Sequence, residues 1–203
     1  MGVRGRPRGF DRDAALEQAM DVFWARGYAG ASIAELTEAM GINPPSLYAA
    51  FGSKEELFKQ AVRLYVATDD ACTLAMLEGD LSTRDSIKAM LLASARSCAK
   101  PGKPSGCFLM LGAANGGPET DAAQTYLCDQ RRDMASRIRA RLARGVADGE
   151  LPDGLDLARI TAFFATVIKG MSIEARDGAD IATLTAVAHS AMLGWDAITS
   201  TQG

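Results

Sequence analysis

The stretch GINPPSLYAAFGSKEEL, Gly41 to Leu57, combines a glycine turn, a proline-started helix, a second glycine and a capped third element. Gly41 supplies a left-handed turn that other residues resist, and Ile42 can plug that turn from beneath. Leu47 and Phe51 can anchor the helix that follows. Upstream, Ser32 with Glu35 three residues on forms a capping box, opening a short helix in which Ala34, Leu36 and Ala39 can pack inward. Two short helices joined this way make a helix-turn-helix. An αα-corner in an ordinary helical protein would give the same pattern, so the flanking sequence has to decide.

Working outward, Asp11 can cap a first helix in which Ala15, Leu16, Ala19, Met20 and Phe23 recur at helical spacing, ending near Gly27. Ser53 with Glu56 forms a second capping box, and the helix it starts carries Leu57, Ala61, Leu64 and Tyr65 and is expected to run to Met76. Gly79 to Thr83 interrupts the pattern, and Ser82 with Asp85 restarts it toward Cys98. KPGKPSG, Lys100 to Gly106, is a loop. A short buried helix is expected from Gly106 to Ala114, closed by an NGGP turn at Asn115 to Pro118. A long helix from Asp121 to Gly149 should bury Leu127, Met134, Ile138 and Leu142. Its arginines Arg131, Arg132, Arg137, Arg139, Arg141 and Arg144 should form a solvated surface. Asp156 caps a helix through Met171, and Asp180 caps the last, through Trp195. No stretch asks to be a strand. The fold class is all-α with about nine helices; the composition changes near Asp80 from short helices to longer, more apolar ones, and the boundary falls inside or just after the fourth helix, which would join the two parts rigidly, giving residues 1–60 and 61–203.

The bulk numbers agree with a globular protein: 203 residues, 48% hydrophobic, 23% charged and a net charge of −3. The longest apolar run, Cys107 to Ala114, is far shorter than the ~20 residues of a membrane-spanning helix, and the charged, glycine-rich start is no secretion signal, so a cytoplasmic location is expected. Four cysteines (Cys72, Cys98, Cys107, Cys128) and one histidine (His189) show no metal-ligand spacing, and neither a metal nor a cofactor is expected. Arg4, Arg6 and Arg8, with no acid before Phe10, form a basic arm able to follow phosphates or enter a minor groove.

WARGYAGASIAEL followed by AMGINPPSLYAAFGSKEELF resembles the TetR (tetracycline-repressor) family of transcriptional regulators over residues 10 to 60. The aromatic-rich first helix, the G-I turn, L-Y in the third helix, the phenylalanine after it and S-K-E-E-L occur together and in register. The resemblance implies a helix-turn-helix domain on a larger helical ligand-binding and dimerisation domain. It also implies a homodimer on a palindromic double-stranded DNA operator, and a third helix in the major groove. Bottom-up chemistry adds that helix N-termini welcome anions at Ser32 and Lys54, and that the Tyr48 hydroxyl can meet a phosphate. Because a residue before proline avoids helical geometry, Pro44 should be extended and Pro45 the first helical residue, which makes Asn43 a weaker cap candidate than its chemistry suggests. Pro44, Pro45 and Ser46 then form the groove-facing edge, and Ala34 lies beside them on the preceding helix. The family's usual polar residue at Pro44, and its frequent aromatic or histidine pair at Ala49 and Ala50, are missing.

In the C-terminal half, ITAFFATVIKGMSI, Ile160 to Ile173, is apolar around much of its circumference, and Leu184, Val187, Ala188, Ala191, Met192 and Trp195 recur at helical spacing in the last helix. Both helices could be core; the resemblance implies that they pair with their counterparts, with Phe164, Ile168, Met171, Val187, Ala191 and Trp195 at the dimer interface. Met76, Leu91, Cys107, Met110, Leu111, Tyr126 and Met134 are candidates to line a pocket for a small, largely apolar effector, or are plain core. Cys107, at the head of a short helix whose dipole would favour thiolate, is either an electrophile sensor or a small buried hydrophobe. His189 should pack near the interface. Rival readings are a helical enzyme using Cys107 with His189, which no Gly-rich loop or carboxylate pair supports, and a ligand-binding module with weakened DNA binding.

Overall fold

A computed structural model describes residues 10–113 and 120–200. Among these residues there are eleven helices and no strands: α1 (Arg12–Gly30), α2 (Ile33–Met40), α3 (Pro44–Phe51), α4 (Lys54–Thr68), α5 (Ala71–Glu78), α6 (Thr83–Cys98), α7 (Phe108–Leu111), α8 (Asp121–Ala147), α9 (Leu157–Arg176), α10 (Ile181–Leu193) and α11 (Trp195–Ile198). None of the described helices is long and apolar enough to cross a membrane. The NGGP turn and the three arginines of the arm lie outside the described residues.

The starts of the helices follow local chemistry. Asp11, Ser32, Ser53, Ser82, Asp156 and Asp180 each accept a hydrogen bond from a backbone N–H of the first turn they precede. Ser32 and Glu35 complete the reciprocal box. At Ser53 only half of it forms, because the Glu56 carboxylate turns to Lys59. Gly41 closes α2 in the left-handed region, with φ 64°.

Four expectations are corrected. The helix from Lys54 does not reach Met76: it stops at Thr68, where the Thr68 hydroxyl donates back to Leu64 O and the N–H groups of Asp69 and Asp70 converge on Tyr65 O. Thr and Asp offer the backbone such alternatives to the helical ladder, and the break is fixed by Ser97 Oγ of α6 and Lys100 Nζ just beyond it, both donating to Asp69. This break, together with the short α11, explains why there are more helices than nine. The inward face of α2 is Leu36, Thr37 and Met40, while Ala34 and Ala39 are exposed. Pro44 is helical: the extended residue is Asn43 (ψ 161°), and its side chain does cap α3 by accepting from Ser46 N. The restriction before a proline is met at Asn43, and two successive prolines fit a first turn whose N–H groups have no intrahelical partner. Finally, Arg141 is no surface residue.

Arg141 is 3% exposed and spends its guanidinium on the Thr83 and Ser86 hydroxyls, the Leu81 carbonyl and Glu150. Glu150 in turn accepts from Thr83 N, so α8 is pinned to the start of α6. Gly145 lies at the same crossing, where a Cβ would stand 2.1 Å from Thr83 Oγ1.

The core is continuous. An aromatic cluster joins α1, α4 and α7: Trp24 meets Tyr65 edge to face at 4.8 Å, and Phe58 meets Phe23 at 5.1 Å and Phe108 at 5.5 Å. Trp24 Nε1 donates to Gly106 O. Removing a guanidinium that serves several buried acceptors should be costly. Arg141→Ala is expected to lower the unfolding free energy by about 3 kcal/mol in urea titrations followed by circular dichroism, whereas Arg139→Ala, on the exposed side, should change little.

Candidate functional site

The outer surface of α2 and α3 is built by what is buried beneath it. Leu36, Met40, Leu47 and Phe51 are consumed by the core, which turns Pro44, Pro45, Tyr48 and Ala49 to the outside of α3. Tyr48 is 48% exposed, ready to offer its hydroxyl. Ser46 is half-buried and lines a groove with Phe10, Thr37, Glu38 and Ala49, so it faces the flank of α3. Ala34 is exposed on α2.

The polar groups at the helix starts are already engaged. Ser32 Oγ accepts from Glu35 N and donates to the Glu35 carboxylate, which also receives Ser32 N. That backbone hydrogen bond holds the Glu35 carboxyl below the usual carboxylate range. Lys54, first residue of α4, lies over the Tyr28 ring at 4.6 Å, and Arg12 over the Phe51 ring at 4.7 Å while also donating to Gln60. Sequence reading missed both aromatic supports, although Tyr28 and Phe51 were in view. Lys59 is held by Glu55 and Glu56.

The interior candidates are spread over one core. Leu91, Cys107 and Met134 are buried; Met76, Met110, Leu111 and Tyr126 are half-buried. Cys107 precedes α7, but the one-turn helix does not activate it: burial pushes its thiol up to about 12. Desolvation outweighs the dipole of four residues. Tyr65 OH donates to Cys107 Sγ at 3.4 Å, and Cys107 N donates to Ser172 Oγ at 2.8 Å. His189 is exposed on α10, in a surface cavity with Arg84, Lys88, Met192 and Leu193, so it is not brought to Cys107.

Asp70 also faces this interior. It stands at the N-terminus of α5 without capping it, 5% exposed, and burial raises its carboxyl from 3.8 to about 6, opposed by the nearby Thr73 hydroxyl. Thr73 Oγ1 is buried and makes no hydrogen bond of normal geometry.

Of the residues expected at a dimer interface, Phe164, Ile168, Met171 and Trp195 are buried within this one chain. Ala191 is half-buried and Val187 is exposed. The large apolar side chains that α9 and α10 leave exposed are Phe163, Ile173, Ile181, Val187 and Leu193. Gly170 lies on the same face of α9, and a Cβ there would meet nothing within 4 Å.

Two family models match the chain: "Bacterial regulatory proteins, tetR family" over residues 15–61, and "Tetracyclin repressor-like, C-terminal domain" over residues 84–191. The chain is 34% identical to the HTH-type transcriptional repressor ComR of Escherichia coli, covering 95% of this chain and 92% of ComR. It is 33% identical to the repressor BdcR of the same organism, covering 93% and 91%. Among solved structures, a cysteine mutant of the TetR family transcriptional regulator CifR, complexed with 26-bp double-strand operator DNA, superposes with a TM-score of 0.90 at 43% identity, over 94% of this chain and all of that one.

Two measurements check this interior. A carboxyl whose folded pKa is raised favours folding at low pH, and that contribution is lost as pH rises through the folded value. Moving from 3.8 to about 6, Asp70 should remove about 3 kcal/mol of stability between about pH 3 and 7, and Asp70→Asn should flatten that slope in denaturant titrations. In alkylation with N-ethylmaleimide followed by mass spectrometry, exposed Cys72 should react well before Cys107.

Proposed function

This chain belongs to the TetR family of bacterial regulatory proteins, and we propose that it is a homodimeric repressor released from a palindromic operator by a small effector. The observation that carries this reading is the surface of α3, where the buried Leu47 and Phe51 fix the helix against the Gly41 turn and leave Pro44, Pro45, Tyr48 and Ala49 outward. Such an edge offers methylene and methyl groups for thymine methyls and a phenol for phosphate. The division near residue 60 separates this reading head from the part that dimerises and binds the effector, and the protein works in the cytoplasm.

Electrostatics assign the arm a role. From Phe10 to Gln60 there are four basic side chains against eight acidic ones, a net charge of −4, and Arg4, Arg6 and Arg8 bring it to −1. Phosphate affinity therefore leans on the arm, Lys54, Tyr48 and the helix N-termini at Ser32 and Lys54. Pro44, Pro45 and Ser46, with Ala34 exposed on α2, would choose bases largely by shape.

The dimer would form through the exposed face of α9 and α10, with Phe163, Ile173, Val187 and Leu193 against their two-fold copies and Gly170 where the α9 helices approach most closely. Gly in mid-helix costs about 1 kcal/mol relative to Ala, which a close crossing would offset. The effector would enter among α4 to α8, near Cys107, Leu91, Met134 and Tyr126, where the buried, protonated Cys107 thiol would serve as a small packed group against Tyr65.

Selection from a random duplex pool supplies the operator. Deleting residues 1–9, or making Tyr48→Phe or Lys54→Ala, should weaken binding on any sequence and reduce its salt dependence, whereas Ser46→Ala should alter sequence preference. Unchanged binding in all of them would exclude this docking. Ile173→Asp with Val187→Asp should give a folded monomer by sedimentation equilibrium.

A further inference from the structure

The end of α1 is an unusual joint. At Gly27, with φ 72°, the helix kinks, and Tyr28 N donates at 2.7 Å to Gly112 O, beyond α7, instead of to the Trp24 carbonyl one turn back. That carbonyl receives a substitute donor from a distant element. Arg176, in the last turn of α9, donates to Trp24 O at 3.1 Å, to Ser105 O at 3.1 Å and to Ala25 O at 3.4 Å. One guanidinium thus ties α9 to α1 and to the loop before α7, and its acceptors are all neutral carbonyls, so high salt should screen the tie far less than an exposed ion pair. One turn earlier, α9 presents exposed Ile173.

We propose that Arg176 is a positioning residue for operator binding: it couples the dimer-forming helix α9 to α1, the helix on which α2 packs, and so sets the distance between the two reading heads. This rests on the reading of the chain as an operator-binding homodimer with α9 at its interface. The route from the two-fold axis to α3 then runs through α9, Arg176 and the end of α1. It does not need the fourth helix to be continuous, and α4 stops at Thr68. A two-fold dimer must present its reading helices at the separation of successive major grooves, and a flexible joint at Arg176 would leave each head intact while blurring that separation.

The experiment uses the full-length protein and the palindrome that wild-type protein selects from a random duplex pool, together with versions carrying one base pair added or removed at the centre. Arg176→Ala should remain dimeric by sedimentation equilibrium and keep wild-type affinity for unrelated duplex DNA. It should lose about tenfold on the selected palindrome while losing little on the altered spacings, so that discrimination between spacings collapses. An equal loss on all three spacings would overturn the proposal, because it would mean general destabilisation, and so would unchanged affinities. If Arg176→Ala does not fold, Arg176→Lys replaces it: a single ammonium cannot reproduce the fork, so spacing discrimination should fall partway, and retention of the full wild-type ratio overturns the proposal. A wild-type protein that selects no palindrome removes the regulator reading itself, which separates that failure from a failure at Arg176.

Discussion

Two buried or half-buried donors at the end of α1, Trp24 Nε1 and Tyr28 N, find their acceptors in the segment from Gly106 to Gly112. Everything that makes this chain one working body follows from that transfer. Leaving either donor unpaired in the interior would cost on the order of 1 to 3 kcal/mol, so α7 must lie against α1. Once it does, Phe108 meets Trp24, Tyr65 and Phe58, and the first helix, the fourth and the interior of the larger part share one aromatic cluster. Gly106 lets the same segment also lie close on α9: its φ is 82°, and a Cβ would stand 2.6 Å from Ser172 O.

The sequence made the helix starts readable because their chemistry is local. Asp11, Ser32, Ser82, Asp156 and Asp180 cap the helices they were expected to cap, each by a bond spanning a few residues. The glycine turn, Leu47 and Phe51 were equally legible. What stayed hidden depends on partners remote in sequence. Arg141 looks like its neighbours on α8, and only the arrival of Thr83, Ser86 and Glu150 makes it a buried pin. The stop at Thr68 had a signal in the run Thr68, Asp69, Asp70, yet its position is held by Ser97 and Lys100 of another segment.

Helical phase explains the candidate interface in the same terms. An apolar run such as Ile160 to Ile173 states that a helix is surrounded, without saying which side belongs to its own chain. The protomer uses Phe164, Ile168 and Met171, and leaves Phe163 and Ile173 uncovered. Neighbouring residues lie ~100° apart on a helix, so a shift of one position exchanges core for surface. The same limit applied to α2, where Ala34 and Ala39 face out and Thr37 and Met40 face in. Alanine patterns carry little information about facing, since the residue is small enough for either side.

The chemistry of the reading surface sets what kind of recognition it can support. With Ser32 occupied by its own cap and Ser46 turned to a groove, α3 exposes few polar atoms besides Tyr48. Bidentate hydrogen bonding to base edges, the strongest source of discrimination at a single base pair, has no side chain to perform it on Pro44, Pro45 or Ala49. On the proposed docking, such a head would discriminate weakly alone. Two of them held at a fixed separation discriminate through geometry, because both must fit at once, and the requirement grows stricter as the joint between them stiffens. On the proposed docking, a thin α3 surface and the Arg176 tie from α9 to α1 would be complementary features: the less each head reads, the more of the specificity would fall on how firmly the two are spaced.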